Sequence, residues 1–360
     1  MSARVAAHHI DPLAPPPPRA EIAMRRVVHS RGTIHSMRPL THDTHELVIS
    51  CLPGSAPLHG RAGQFATLSV PGLSRPRPYS FARDPQAERA GEHTFYVRLV
   101  PGGEMSTWLT AADRGGTTVD ISGPLGAFTL DDSAAPMLLL AGGSGMSAVK
   151  ALAEEACRRR QARECLFLYG ARTQRDLYAL EEMARIAANW HPAHRFEFVP
   201  VLSEEPAGSS WNGARGLVTD RLRAACLDHG SMRTSQLRAW LCGPPPMVEA
   251  GHTLLREYGV PAAYIARDLF TDLRSPAPVL DDHRCMLCDE CLLVRPVAAC
   301  IVEAAAIDLA PDGRLRSYTP IVPLHTAGLY YHRLAIDDAR CIRCYACVQA
   351  CPHDAISVRE

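Results

Sequence analysis

Eight cysteines between residues 285 and 351 carry the most specific chemistry in this 360-residue chain. Cys285, Cys288 and Cys291 form one trio, and Cys341, Cys344 and Cys347 a second, with two residues between neighbours. One further cysteine follows each trio, Cys300 or Cys351, and Pro352 stands behind the last. Clustered thiolates are ligands for soft metals. Zinc knuckles pair two C-x2-C units or mix cysteine with histidine, and a disulfide framework requires an exported chain. Two trios, each with a remote fourth thiolate, instead suit iron–sulfur cubanes wrapped by tight loops.

The run C-x2-C-x2-C-x3-C-P from Cys341 to Pro352 resembles the bacterial ferredoxin signature, in which the fourth cysteine reaches across to the other cluster. That resemblance implies Cys285, Cys288, Cys291 and Cys351 on one [4Fe–4S] cluster, and Cys341, Cys344, Cys347 and Cys300 on a second. The first motif departs from the compact form. Eight residues separate Cys291 from Cys300, and Ile301 stands where proline is usual. Two clusters move single electrons, so the rest of the chain must supply them.

Size and composition bound what that supplier can be. A 39.2 kDa chain with 47% hydrophobic residues is expected to hold two to three domains. Its formal net charge of zero gives no general pull toward nucleic acid or an anionic membrane. Lys150 is the only lysine, so arginine carries almost all the positive charge. Residues 1–25 read as a disordered leader: the Pro15–Pro18 run and the lack of an apolar core fit neither a signal peptide nor an anchor. His8–His9 in that leader carries little weight as a metal site. Cys51, Cys157, Cys165, Cys226 and Cys242 lie scattered without motif spacing. They read as reduced thiols, and a cytoplasmic location is expected.

Several elements must position the electron source. From residue 26, short apolar runs divided by Gly and Pro predict strands at Arg31–His35, His45–Cys51, Phe65–Val70, His93–Val100 and Thr118–Ile121. Such spacing predicts an antiparallel barrel or sandwich. After Pro136 the pattern alternates. Strands are expected at Met137–Ala141, Cys165–Tyr169, Glu197–Val201 and Ala239–Cys242, with helices between them, the first over Ala148–Arg158. That order implies a parallel sheet wrapped by helices. Arg274–Pro278 reads as a connector into the cysteine region.

Motifs punctuate these two regions in a fixed order. Arg77-Pro78-Tyr79-Ser80 comes first, then Gly102-Gly103-x-Met105-Ser106 and Gly123-Pro124-x-Gly126-x-Phe128. Gly142-Gly143-Ser144-Gly145, Tyr169-Gly170-Ala171-Arg172 and Cys242-Gly243-Pro244 follow. Each is weak alone. Together, over residues 26–270, they resemble the ferredoxin–NADP reductase superfamily, and within it the NADH-dependent reductase components of oxygenases.

The resemblance implies a multidomain α/β plus β protein. An antiparallel flavin-binding β-barrel is expected over 26–131 and a parallel-sheet, Rossmann-like NAD domain over 132–272. An α+β, bacterial-ferredoxin-like domain with two clusters is expected over 273–360. It further implies that Arg77, Tyr79 and Ser80 hold a flavin, FAD with FMN the alternative: arginine pairs with pyrophosphate, and tyrosine packs on the ring. Gly102, Gly103 and Ser106 would meet its phosphates. Gly142, Gly143, Ser144 and Gly145, between a strand and a helix, would cradle the nicotinamide cofactor's pyrophosphate. Ser147-Ala148 replaces the family's usual Ala-Pro at that helix start.

Arg172, Gly243 and Pro244 join the same cofactor site by the resemblance. Cys242 would lie beside the nicotinamide and flavin rings as a close-packing neighbour, the alternative being an ordinary core cysteine. Phe270 would lie against the flavin, or plug the domain junction. NADH is expected over NADPH because Glu204 follows Ser203, where arginine would favour a 2′-phosphate. The expected activity is electron supply through both clusters to a partner enzyme, an oxygenase component. The alternatives are a fixed electron-wiring subunit of a larger complex, and reverse transfer from a low-potential donor to NAD⁺.

Overall fold

The computed structural model describes residues 27–73, 75–228, 234–270, 276–297, 300–311, 314–320 and 333–358. The expected leader, Arg274 and Ser275 of the Arg274–Pro278 connector and the expected 272/273 domain boundary lie outside these residues.

The first region comprises β1 (Val28–Pro39), β2 (Thr44–Cys51), β3 (Phe65–Ser69), β4 (Arg77–Ser80), β5 (Glu92–Arg98), helix α1 (Glu104–Thr110) and β6 (Thr118–Leu125). Among the described residues these strands form one antiparallel sheet in the order β4-β3-β6-β1-β2-β5. A bridge between Phe81 and Phe95 brings the chain after β4 onto β5, so the sheet nearly closes. Alternation along β2 places Leu47 and Ile49 inside. They pack with Ile34, Phe81, Phe95 and Ile121 as the barrel core. Arg77–Ser80, a motif following the expected Phe65–Val70 strand, is itself a strand paired with β3.

The second region alternates strand and helix: β7 (Met137–Gly142), α2 (Met146–Arg158), β8 (Cys165–Ala171), α3 (Leu180–Asn189), β9 (Phe196–Leu202), β10 (Ala214–Arg215), α4 (Val218–Asp228), β11 (Arg238–Gly243), α5 (Pro245–Glu257) and β12 (Ile265–Leu269). The sheet is parallel, ordered β10-β9-β8-β7-β11-β12. Every residue of β7 is buried, as a strand covered on both faces requires. Strand order reverses at β7, whose neighbours are β8 and β11. A crevice therefore opens beyond the carboxyl ends of β7 and β11. Barrel residues Tyr96 and Phe128 share one apolar core with Met137, Leu152 and Trp240 of the second region. Arg158 donates to the buried Asp84 at 2.5 Å across the same junction.

The third region holds β13 (Pro278–Leu280), α6 (Glu290–Leu293), β14 (Ile301–Leu309), β15 (Leu315–Pro320), β16 (Arg333–Ile336), α7 (Ala346–Ala350) and β17 (Ile356–Val358). β13 pairs antiparallel with β17, and β15-β14-β16 form a separate antiparallel sheet between Cys300 and Cys341. Val294, in the long segment between Cys291 and Cys300, packs with Ala346 against Phe65 and Leu125 of the barrel. That segment is therefore part of the contact with the barrel. No described helix is long and apolar enough to cross a membrane.

Candidate functional site

A cavity of about 950 Å³ lies where the three regions meet. Arg77, Pro78, Tyr79 and Ser80 of β4 form one wall. Burial raises the pKa of the Tyr79 phenol, a shift only partly offset by Arg77, so the ring stays neutral. Ser80 is buried, and the Arg77 guanidinium sits 3.9 Å from Glu104.

The start of α1 supplies a second wall through Gly102, Gly103 and Ser106. Gly102 takes φ +73°, a left-handed conformation that admits glycine without strain. Ser106 Oγ accepts the Val100 N–H and donates to the Gly103 carbonyl, each at 3.2 Å, which holds the turn shut. No side chain caps the helix start. This is a surface suited to phosphate oxygens.

The opposite side belongs to the second region. Gly142 ends β7, and Gly143–Gly145 form a single 3₁₀ turn leading into α2. A Cβ on Gly145 would fall 2.2 Å from the Cys242 carbonyl oxygen, so only glycine lets this turn approach the end of β11. Tyr178 donates to the Gly143 carbonyl at 2.9 Å. Ser144, Pro244 and Phe270 line the cavity, and the Phe270 N–H donates to the Gly243 carbonyl at 3.2 Å.

Cys242 is fully buried behind this surface. Its thiol donates to Asp268 Oδ2 across 3.7 Å. Burial first, then the neighbouring carboxylate, raise the Cys242 pKa well above the usual thiol range. A thiol so placed is a packing neighbour and not a nucleophile. Burial also pushes the Asp268 carboxyl up to about 6, against the lowering contact from Cys242.

Most expected residues converge here; Arg172 does not. It lies outside the cavity, half-exposed, paired with Asp176 at 3.1 Å and 3.9 Å from Asp43. Glu204 donates its backbone N–H to the Arg172 carbonyl, so an acidic side chain begins beside it at the ends of β8 and β9. The motifs passed over Asp268 and Arg98, which both line the cavity. Asp268 was within reach of pattern reading, since Ile265–Leu269 is a strand ending one residue before Phe270. Arg98, held by Asp43 at 3.0 Å, gives no motif signal.

The cysteine loops share one backbone device. Leu287 and Asp289 flank Cys288 with φ of +52° and +61°, and Arg343 and Tyr345 flank Cys344 with +62° and +54°. Left-handed residues on both sides of the middle cysteine curl each loop and turn its N–H groups inward. The Ala355 N–H donates to Cys351 Sγ at 3.2 Å. Backbone N–H groups at Leu287 and Ala346 act likewise on Cys285 and Cys344.

Electrostatics groups the thiols largely into two sets, although Cys347, raised chiefly by burial, is raised by Cys291 as well as by Cys344, Cys341 and Cys300. Burial pushes Cys291 up to about 12, and the charges of Cys285, Cys288 and Cys351 add to it. Burial does the same to Cys344, with Cys300 and Cys341 adding. A small cavity is walled by Cys285, Cys288, Cys291 and Cys351 together. Among the described residues, the one His/Cys/Asp/Glu trio within 4.8 Å is His42, Asp43 and Asp176. Left-handed loop residues, backbone N–H groups donating to sulfur and clustered buried thiols fit an iron–sulfur group.

Comparison with known proteins agrees with this layout. Family models match an oxidoreductase FAD-binding domain at residues 31–130, an oxidoreductase NAD-binding domain at 139–253 and a 4Fe-4S binding domain at 334–357. The reductase subunit of aromatic O-demethylase from Amycolatopsis sp. is 36% identical over 269 residues, 72% of this chain and 76% of that protein. The chain belongs to the ferredoxin reductase family. The xylene/toluene monooxygenase electron transfer component XylA of Pseudomonas putida is 37% identical over 243 residues, 68% of this chain. The chain spans about two thirds (66%) of that relative's length.

The crystal structure of the Amycolatopsis cytochrome P450 reductase GcoB aligns with TM-score 0.60 at 34% identity, covering 68% of this chain and 70% of that one. As a member of the family, this chain is an oxidoreductase with FAD- and NAD-binding domains and a 4Fe-4S binding domain. The cavity lies between the first two, and the third reaches its rim.

Proposed function

We propose that the chain is an NADH-dependent reductase that delivers single electrons, through two [4Fe–4S] clusters, to a partner oxygenase component. One observation carries this reading. Tyr79 of the flavin motif, Ser144 and Phe270 of the nucleotide domain, and Cys344 of a cysteine trio all line the same cavity. When bound, the nicotinamide, flavin and clusters supply hydride donation, hydride acceptance and one-electron transfer.

The chain's residues bind and orient those groups. Tyr79 offers a neutral ring face for stacking, and Ser80 a hydroxyl at the ring edge. Arg77 places a guanidinium for the pyrophosphate, beside the Gly102–Gly103 turn. Gly142–Gly145 would bring backbone close to the second pyrophosphate, and the buried Cys242 would pack beneath the nicotinamide without reacting. Phe270, in the cavity wall on the nucleotide side, would pack against a bound flavin and would have to yield for a nicotinamide to stack. Arg172 and Glu204 flank the adenosine end, where the Glu204 carboxylate would repel a 2′-phosphate and favour NADH.

Cys285, Cys288, Cys291 and Cys351 would hold one cluster, and Cys300, Cys341, Cys344 and Cys347 the other. An oxygenase partner is supported by the monooxygenase and demethylase components among the relatives. Anaerobic holoprotein tests the reading. It should contain about eight irons per chain, the number two cubanes require, and should oxidise NADH with ferricyanide and with cytochrome c. Holoprotein that fails to oxidise NADH with any acceptor would end the reductase reading; about four irons would end the two-cluster part alone.

A further inference from the structure

The two cysteine sets occupy unequal surroundings. Cys344 and its neighbour Ile342 stand in the wall of the flavin cavity, with Tyr79 and Phe270. Cys344, Ala346 and Ala350 also pack on Phe65 and Leu125, and Phe65 is itself a cavity residue. Tyr345 pins this loop by donating to the Pro276 carbonyl at 2.7 Å.

The other set faces outward. Cys288 is exposed, and Met286 beside it is 69% exposed. The small cavity among Cys285, Cys288, Cys291 and Cys351 is otherwise lined by the third region alone, including Leu334, His353 and Ile356. The sets adjoin through one apolar core that contains Cys291, Cys300 and Cys341 with Ile301 and Ile336.

We infer that the sets act in a fixed order. Cys300, Cys341, Cys344 and Cys347 form the inner station, which receives electrons at the flavin cavity. Cys285, Cys288, Cys291 and Cys351 form the outer station, which passes them to a one-electron metal centre on a partner protein. This order rests on the two-cluster reductase reading. Electron transfer falls steeply with distance, so membership of the cavity wall decides which set is loaded first. The electron count closes. One hydride leaving NADH carries two electrons and a proton; the electrons pass singly through the inner and outer stations and reduce two one-electron acceptors, and the proton goes to water. The segment order is the reverse of the transfer order, because the second trio in the chain folds against the barrel.

The test uses freeze-quench electron paramagnetic resonance on anaerobic holoprotein mixed with NADH, with and without a water-soluble dysprosium chelate. The chelate speeds relaxation of whichever cluster lies nearer solvent. The first cluster signal to appear should be the one less affected by the chelate. A first signal that is the more strongly relaxed overturns the order. Two variants add an independent reading. In Cys344→Ala the remaining cluster, reducible by dithionite, should be reduced by NADH at least a hundredfold more slowly than in the parent. In Cys288→Ala the remaining cluster should still be reduced by NADH within the mixing experiment. Swapped behaviour of these variants sinks the order. If NADH reduces neither flavin nor clusters in the parent protein, the reductase reading itself fails, a distinguishable result.

Discussion

Cys242 Sγ and Asp268 Oδ2 lie 3.7 Å apart at the ends of two adjacent parallel strands, β11 and β12, in direct register. The pair places a buried carboxyl at the edge of the cavity, behind the surface expected to meet the nicotinamide. Hydride departure leaves positive charge on the nicotinamide, and a carboxylate held in a low-dielectric site stabilises charge that develops there. Burial pushes this carboxyl up to about 6, so it ionises as pH rises through that value.

Flavin reduction by NADH should therefore accelerate as pH is raised through about 6. Asp268→Asn keeps the shape and removes the charge; it should slow the step about tenfold, near 1.4 kcal/mol, and flatten the profile. Stopped-flow flavin bleaching from pH 5 to 8 checks this. A variant with an unchanged profile would assign the pH dependence elsewhere.

Flavin and iron should be separately housed. Tyr79 and Arg77 stand on the barrel's edge strand, with no cysteine ligand on that strand. Tyr79→Ala and Arg77→Ala should each lower flavin content severalfold while leaving iron at the parent level. Parallel loss of iron in these variants would show that the two sites fold as one unit.

Gly145→Ala tests the close approach of β7 and β11. The added methyl would sit 2.2 Å from the Cys242 carbonyl oxygen, so backbone must move. Overpacking of this kind costs about 1–3 kcal/mol. The melting temperature should drop by several degrees and NADH affinity should weaken, while flavin stays bound. Calorimetry with a nucleotide titration measures both; an unperturbed variant would mean the turn relaxes freely.

Glu88 predicts a pH-dependent stability. Burial, the dominant cause, raises its carboxyl from the usual 4.5 to about 7. The folded state then binds more protons than the unfolded state between those values, so stability falls as pH rises from about 4.5 to about 7 and levels off above. Glu88→Gln should remove that decline and leave the protein more stable at pH 8, by on the order of 1–3 kcal/mol. Thermal melts across pH 5–8 would show the two curves converging at the acid end. Curves that stay parallel would clear Glu88 of the effect.

Chemistry that depends on local spacing can be read from the chain alone. Cysteines two residues apart reach one metal group because a short loop can present no other geometry, and Gly142–Gly145 between an apolar run and a helix admits close backbone approach wherever it folds. Periodicity likewise reveals the barrel strands and the alternating second region, since each element's apolar face follows from its own residues. Relations between distant segments behave differently. Whether Arg77–Ser80 is loop or strand depends on pairing with β3, which no local pattern encodes. Asp268 becomes a site residue only because β12 aligns beside β11, and Arg172 leaves the cavity because Asp43 and Asp176 draw it aside. Which cysteine set reaches the cavity is the sharpest case. The two trios have the same spacing, and only the place of Cys344 in the cavity wall, with Cys344 and Ala346 packed on Phe65 and Leu125, tells them apart.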